Sequence, residues 1–224
     1  WRRARVRGWG DSRESTVVYL GRHGAVVGPE TRRFIGHLDV PLSPHGEHQV
    51  SAVARRLAAL PLAAVYSSDL VRTRRSADLV AAPHGLRPIA LAGLREFAMG
   101  QWEGLTAEEI RALAPDAFAA WMADVGRFQF PGGENLEQVA ARSWAAFEDI
   151  VAAHEGQRVA IVAHGGSLRA ILCRALGMAL DRLLALGQDY AALSMLERAA
   201  GAWSLALLNH HEPLEPRVEA EVAR

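Results

Sequence analysis

Arg22-His23-Gly24 and His164-Gly165-Gly166 each follow a short apolar run, at 17–20 and 159–163. Two further strand-like runs lead into Ser67-Ser68-Asp69-Leu70-Val71-Arg72 and into Leu94-Arg95-Glu96. If these runs are neighbours in one sheet, four strand ends bring two histidines, two or more arginines and a glutamate together. Such a set suits phosphoryl transfer, whose transition state spreads charge over three equatorial oxygens and needs fixed cations and donors around them. Arg22 and Arg72 can offer forked donors to phosphate oxygens. His164 adds another, and the Gly165 N–H is approachable because nothing projects from that residue. His23 would be the nucleophile, with its attacking nitrogen unprotonated and its other nitrogen held by an acceptor, typically a backbone carbonyl. Gly24 lets the chain turn and approach a ligand closely. Glu96 would protonate the leaving alkoxide and then activate water. The scheme asks for no metal or other cofactor.

The elements that must position these residues alternate short apolar runs with helical segments, the pattern of a layered α/β domain. Ser43-Pro44 is an N-cap followed by proline at the first helical position, opening a helix through Leu60. A strand over 63–66 leads through Ser67-Ser68-Asp69, a loop and cap, into a helix to about Ala82, and 88–91 is a third short strand. Thr106 and Glu109 have capping-box spacing, and a second short helix follows over 115–123. The loop 126–134 has the composition of a segment that folds over a site. A long helix over 136–154 leads to the strand 158–163, a helix to Gly177 and a hairpin formed by 191–197 and 203–208.

Twenty-five basic and 25 acidic residues balance over 224, which gives no footprint for nucleic acid. All basic side chains are arginine, beside abundant alanine, a bias of the kind a GC-rich bacterial genome produces. The single cysteine, Cys173, lies in an apolar run and reads as a buried thiol, in keeping with a reducing, cytoplasmic compartment. No run approaches the ~18 apolar residues of a membrane span. His-Glu-x-x-His and cysteine-pair spacings are absent, so no metal site is expected. Residues 1–15 read as a basic linker or truncated start, 16–211 as the folded domain with a cap insertion at about 104–134, and 212–224 as a tail.

The chain resembles the histidine phosphatase superfamily, the phosphoglycerate-mutase-like enzymes, over roughly residues 16–209. The match is ordered: Tyr19-Leu20-Gly21-Arg22-His23-Gly24, then 32–43, then Ser67-Ser68-Asp69-Leu70-Val71-Arg72-Thr73, Leu94-Arg95-Glu96, Gly100-Gln101-Trp102-Glu103-Gly104, Pro131-Gly132-Gly133-Glu134 and His164-Gly165-Gly166. The resemblance implies a three-layer α/β/α fold with a mixed, mostly parallel sheet and a small helical cap. It implies His23 as phosphoacceptor, Arg22, Arg72 and His164 as the phosphate pocket and Glu96 as proton donor. The segment 95–104 looks like the small phosphatases, including alpha-ribazole phosphatase, and the longer insertion and arginine pair of the mutases are not found. The implied partner is a small phosphomonoester. Mutase activity, a weakened phospho-ligand sensor, fusion to another domain and a homodimer stay open as alternatives.

The resemblance breaks just past the nucleophile. An acidic residue usually follows the first His-Gly, with an asparagine four positions later, and here those positions are Ala25 and Pro29. The acid phosphatase branch would place an arginine at Val26, also absent. The pocket is expected to have fewer donors, or to draw on Arg32, Arg33 or His37 from the next loop. Other roles compete for some residues. Glu96 could pair with Arg95 or cap the helix after Thr106, Arg32 and Arg33 could be surface charges, and Trp102 reads as a packing anchor.

Overall fold

The computed structural model describes residues 15–28 and 33–214. The basic start, Pro29 and Arg32, and the end of the tail lie outside them. Six strands form one sheet in the order β3-β2-β4-β1-β5-β6. They are β1 (Thr16–Arg22), β2 (Leu62–Ser67), β3 (Ile89–Ala90), β4 (Arg158–Ala163), β5 (Leu193–Ala199) and β6 (Ala202–His210). The pairs β1–β4, β4–β2 and β2–β3 are parallel, while β5 runs against both of its neighbours. The sheet is therefore mixed and mostly parallel, as expected, and 193–210 is the hairpin.

Alternation along the central strands decides the layers. Val18 and Leu20 of β1, with Val159 and Ile161 of β4, pack against Phe147, Leu168 and Leu172. These come from α5 (Leu136–Ala153) and α6 (Gly165–Leu176). Val17 and Tyr19, with Ala160 and Val162, face Val50, Val53, Leu57 and Val80 on the other side. Those residues belong to α1 (Pro44–Leu57) and α2 (Val71–Ala81). Helix α1 begins as read, with Ser43 Oγ accepting from the Gly46 N–H at 3.0 Å, but ends at Leu57, before the extension to Leu60. For α2 the reading of 67–69 as a cap fails. The N-cap is Leu70, and Asp69 instead makes a two-pronged pair with Arg95, both bonds 2.6 Å.

The short helices α3 (Ala107–Leu113) and α4 (Pro115–Ala123) sit outside these layers over an aromatic cluster of Trp102, Phe118 and Phe130 with Phe34, Trp121 and Phe128. Trp102 is the hub, its ring within 5.0–6.4 Å of five others, which is the packing role expected for it. The Thr106–Glu109 capping box forms. Loop 126–134 contributes no residue to the lining of the cleft described below. It is tied to 98–101 by bonds from Gln101 N–H to the Pro131 carbonyl (2.9 Å) and from Glu134 N–H to the Ala98 carbonyl (2.7 Å). A Cβ on Gly133 would strike the Ala98 carbonyl, so this contact requires glycine.

Gly24 also serves packing rather than a turn. Its φ is not positive, and a Cβ there would overlap the backbone of Gly46 in the first turn of α1. Two glycines thus let α1 lie directly on the chain leaving β1. Cys173 is fully buried, and burial pushes its thiol pKa up. Among the described residues, no helix is long and apolar enough to cross a membrane.

Candidate active site

The register of the two central strands places the histidines. Arg22 of β1 stands opposite Ala163 of β4, and the ladder continues one step further as the His23 N–H donates to the Ala163 carbonyl at 3.1 Å. His23 and His164 therefore leave the sheet side by side, ring centres 5.1 Å apart and nearly edge to face. A slip of one residue would send one of them to the opposite face. On the other flank of β4, Ser67 lies opposite Val162, bringing Ser68 and then Arg72, in the first turn of α2, to the same edge. Glu96 follows β3 after a short turn over 92–94. Arg22, His23, Arg72, Glu96, His164 and Tyr190 line a cleft of about 270 Å³ at the carboxyl end of the parallel strands, where open α/β sheets bind ligands.

The tautomer of His23 is fixed. Its Nδ1 lies 2.8 Å from the Gly24 carbonyl, which can only accept, so Nδ1 carries the hydrogen and Nε2 keeps its lone pair. Burial, and then the charges of Arg22 and Arg72, hold the His23 pKa well below the ordinary imidazole value. Burial does the same to His164, helped by the repulsion that a protonated His23 would exert and by the charges of Arg72 and Arg22. Both rings are thus neutral at pH 7.

His164 Nε2 meets Ser68 Oγ at 2.7 Å, and that oxygen meets Thr73 Oγ1 at 2.6 Å. Thr73 Oγ1 also donates to the backbone, within 2.9 Å of the Leu70 carbonyl and 3.1 Å of the Ser68 carbonyl. Among the described residues, His164 Nδ1 and Arg22 Nε are buried with no hydrogen-bond partner. A buried polar atom left unpaired costs roughly 1–3 kcal/mol. Two such atoms in one cleft mark a place that the polar atoms of a ligand complete.

The arginines are held more tightly than the sequence suggests. Arg22 donates through Nη1 to the Gln188 carbonyl (2.6 Å), with Cζ 4.0 Å from the centre of the Tyr190 ring. Arg72, 1% exposed, donates from Nη1 to Leu38 O and from Nη2 to Gly36 O, both 2.7 Å. Its fork is therefore not open. One hydrogen remains on each terminal nitrogen, beside the full charge, to face the cleft.

Glu96 is fixed at both ends. Its Oε1 accepts from the Phe97 N–H (2.9 Å) and its Oε2 from the Gly166 N–H (3.0 Å). A Cβ on Gly166 would strike this carboxylate and the Phe97 ring. The Glu96 carbonyl accepts from His37 Nε2 and from Arg142 Nη2, both 2.7 Å. Arg142 also donates to the carbonyls of Gly93 (2.9 Å) and Arg95 (2.7 Å) and pairs through two bonds of 2.7 Å with Glu134. One guanidinium thus ties down the whole turn that carries Glu96.

The comparison that decides the family spans nearly the whole described chain: a sequence model of the histidine phosphatase superfamily (branch 1) matches residues 18–211. The chain belongs to this superfamily. It is 32% identical over 179 residues to phosphoserine phosphatase 1 of Hydrogenobacter thermophilus, covering 80% of this chain and 85% of that one. It is 36% identical over 161 residues, 70% of each chain, to phosphoglycerate mutase-like protein 4 of Arabidopsis thaliana. The solved structure of a mycobacterial glucosyl-3-phosphoglycerate phosphatase superposes with a TM-score of 0.79 at 31% identity, covering 87% of this chain and 99% of that one.

Within this superfamily frame, the structure brings Arg22, His23, Arg72, Glu96 and His164 to one cleft, with Gly165 beside the Arg22 guanidinium. His37 does not line it. Its ring is turned to the Glu96 carbonyl and its N–H to Glu103 Oε1 at 2.8 Å, so it supports the glutamate rather than a phosphate. Arg33 does reach the rim, but Nη1 already bonds Gly104 O (2.6 Å) and Glu109 Oε2 (2.8 Å). Neither alternative for Glu96 holds: Arg95 pairs with Asp69, and Glu109 completes the capping box. Arg32 lies outside the described residues.

Tyr190, Ser68 and Arg142 escaped the sequence reading. Tyr190 precedes a strand that runs antiparallel to β1, with Leu193 opposite Gly21, so the residues before that strand arrive at the edge that carries the cleft. Recognising β5 as a direct neighbour of β1 would have found it. Along the sequence Ser68 reads only as part of a loop and cap, and Arg142 lies mid-helix, where no local signal marks it.

Proposed function

We propose that this chain is a phosphomonoesterase that works through a phosphohistidine on His23. The observation that carries the proposal is the Nδ1 bond from His23 to the Gly24 carbonyl, which leaves a neutral Nε2 as the free nucleophilic atom beside two arginines. Nε2 attacks phosphorus, the P–O bond to the leaving group breaks, and Glu96 passes a proton to the departing alkoxide. Arg22, Arg72 and His164 meet the charge on the equatorial oxygens. In the second half, Glu96 takes a proton from water as its oxygen attacks phosphorus, and the P–N bond breaks to return His23 and inorganic phosphate. Support also comes from the relatives, two of which are named phosphatases for small phosphorylated compounds.

The test is phosphate release combined with acid quenching of the working enzyme. Wild-type protein is expected to release inorganic phosphate and to carry acid-labile phosphate, and His23→Ala to do neither. Full hydrolysis by His23→Ala would overturn the mechanism. Transfer of the phosphoryl group to a second hydroxyl, without net release, would make the chain a mutase.

A further inference from the structure

The stretch after His23, where acid and asparagine are replaced, builds a wall. Val26 and Val27 line a second cleft, of about 160 Å³, opposite Leu38 and Val40. It adjoins the phosphate cleft, and both are lined by Arg33, Phe34, Ile35 and Tyr190. Tyr190 stands at the junction, its ring against Arg22 and 5.4 Å from the ring of His23. A group attached to a phosphate on His23 has this second cleft as its neighbour.

The wall offers side chains rather than hydrogen bonds. The Val27 N–H is taken by the Pro41 carbonyl (3.1 Å), the Val40 N–H by the Leu38 carbonyl (3.0 Å), and Val26 forms a bridge pair with Leu42. Val27 and Leu38 are nevertheless 44% and 40% exposed, large aliphatic groups left open on a concave surface. The cleft's sole cation among the described residues is Arg33, already bonded to Gly104 and Glu109. A carboxylate placed against Val27 and Leu38 would lose water to aliphatic groups, whereas apolar surface there would gain by burial. Cavities of about 150 Å³ lined by Leu, Ile and Phe hold a benzene ring, which sets the size of the occupant.

We infer that the substrate is a phosphomonoester whose leaving group carries an apolar body of about six carbons, seated between Val27, Leu38 and Tyr190. The inference rests on the phosphatase activity proposed above and goes beyond it in naming the leaving group. It sets this chain apart from an enzyme that selects the charged leaving groups of phosphoserine or phosphoglycerate.

The test is a series of n-alkyl phosphates from ethyl to hexyl, run beside O-phosphoserine and 3-phosphoglycerate on the full chain. Alkoxide leaving-group chemistry is nearly constant along the series, so the slope reads burial. The expected kcat/KM rises about two- to fourfold with each methylene until the cleft is filled. Calorimetry with ethyl- and hexylphosphonate, which cannot be hydrolysed, reads the same cleft by binding alone and should favour hexyl. Leu38→Asn and Val27→Ser, each checked by thermal melting, should flatten both slopes. A flat alkyl series, or preference for phosphoserine or phosphoglycerate, overturns the inference and leaves the phosphatase intact. No phosphate release with hexylphosphonate still preferred overturns the activity and leaves the cleft.

Discussion

Arg142 never touches the cleft, yet the position of Glu96 depends on it. Replacing it by leucine removes a donor from three carbonyls, those of Gly93, Arg95 and Glu96, and strips Glu134 of its charged partner, leaving it the Ala98 N–H. Hydrogen bonds to charged groups contribute roughly 1.5–3 kcal/mol each, and loss of one member of a buried pair costs about 3–5 kcal/mol. Arg142 and Glu134 keep 23% and 20% exposure, so solvent takes up part of this. Arg142→Leu is therefore expected to cost about 2–4 kcal/mol in urea unfolding. The consequence for catalysis depends on the leaving group. An alkyl phosphate needs its departing oxygen protonated, whereas a nitrophenyl phosphate departs as a stable phenolate and hardly needs the acid. Displacement of Glu96 should therefore lower kcat for the alkyl ester by roughly 10²-fold or more, with a much smaller loss on the aryl ester. Equal losses on both esters, in protein shown to be folded at the assay temperature, would refute the claim that Arg142 positions the proton donor. So would an unchanged alkyl rate.

Two further outcomes follow from burial. Gly24→Ala places a methyl group against the Gly46 backbone, which cannot swing aside as a side chain would, and should lower stability by about 1–3 kcal/mol; thermal melting at the wild-type midpoint would contradict the packing account of this glycine. His23 and His164 have depressed pKa values in the folded chain, so below about pH 6.5 the unfolded chain binds more protons than the native one. Stability is then full above pH 6.5 and falls as the pH drops towards the folded values, by up to about 1.4 kcal/mol per pH unit for each ring. Urea midpoints that stay flat from pH 7 to 5 would contradict the neutral, buried pair.

What was legible in the sequence was whatever local pattern fixes. Apolar runs ending in His-Gly marked β1 and β4, and the caps at Ser43 and Thr106 marked two helix starts. What was not legible depended on partners distant along the chain. Arg72 reads as an open fork until the 36–38 loop is seen closing on it. His37 reads as a phosphate ligand until its ring is found on the Glu96 carbonyl. Gly24 and Gly133 read as turn or lid glycines, though each is small because another backbone lies against it. Such contacts carry no periodicity, so no reading along one dimension could supply them.

The pairing of β1 with β4 sets Val17 opposite Arg158, far along the chain, and β5, which brings Tyr190 and Gln188, comes later still. The cluster of side chains in the cleft therefore has no local precursor. Closing so large a loop costs entropy before any contact compensates it, and such long-range pairings form slowly. A nascent or partly unfolded chain would hold helices without holding a phosphate. Recovery of phosphate binding during refolding would thus clock the closure of the central sheet, making the ligand a reporter of topology as well as of chemistry.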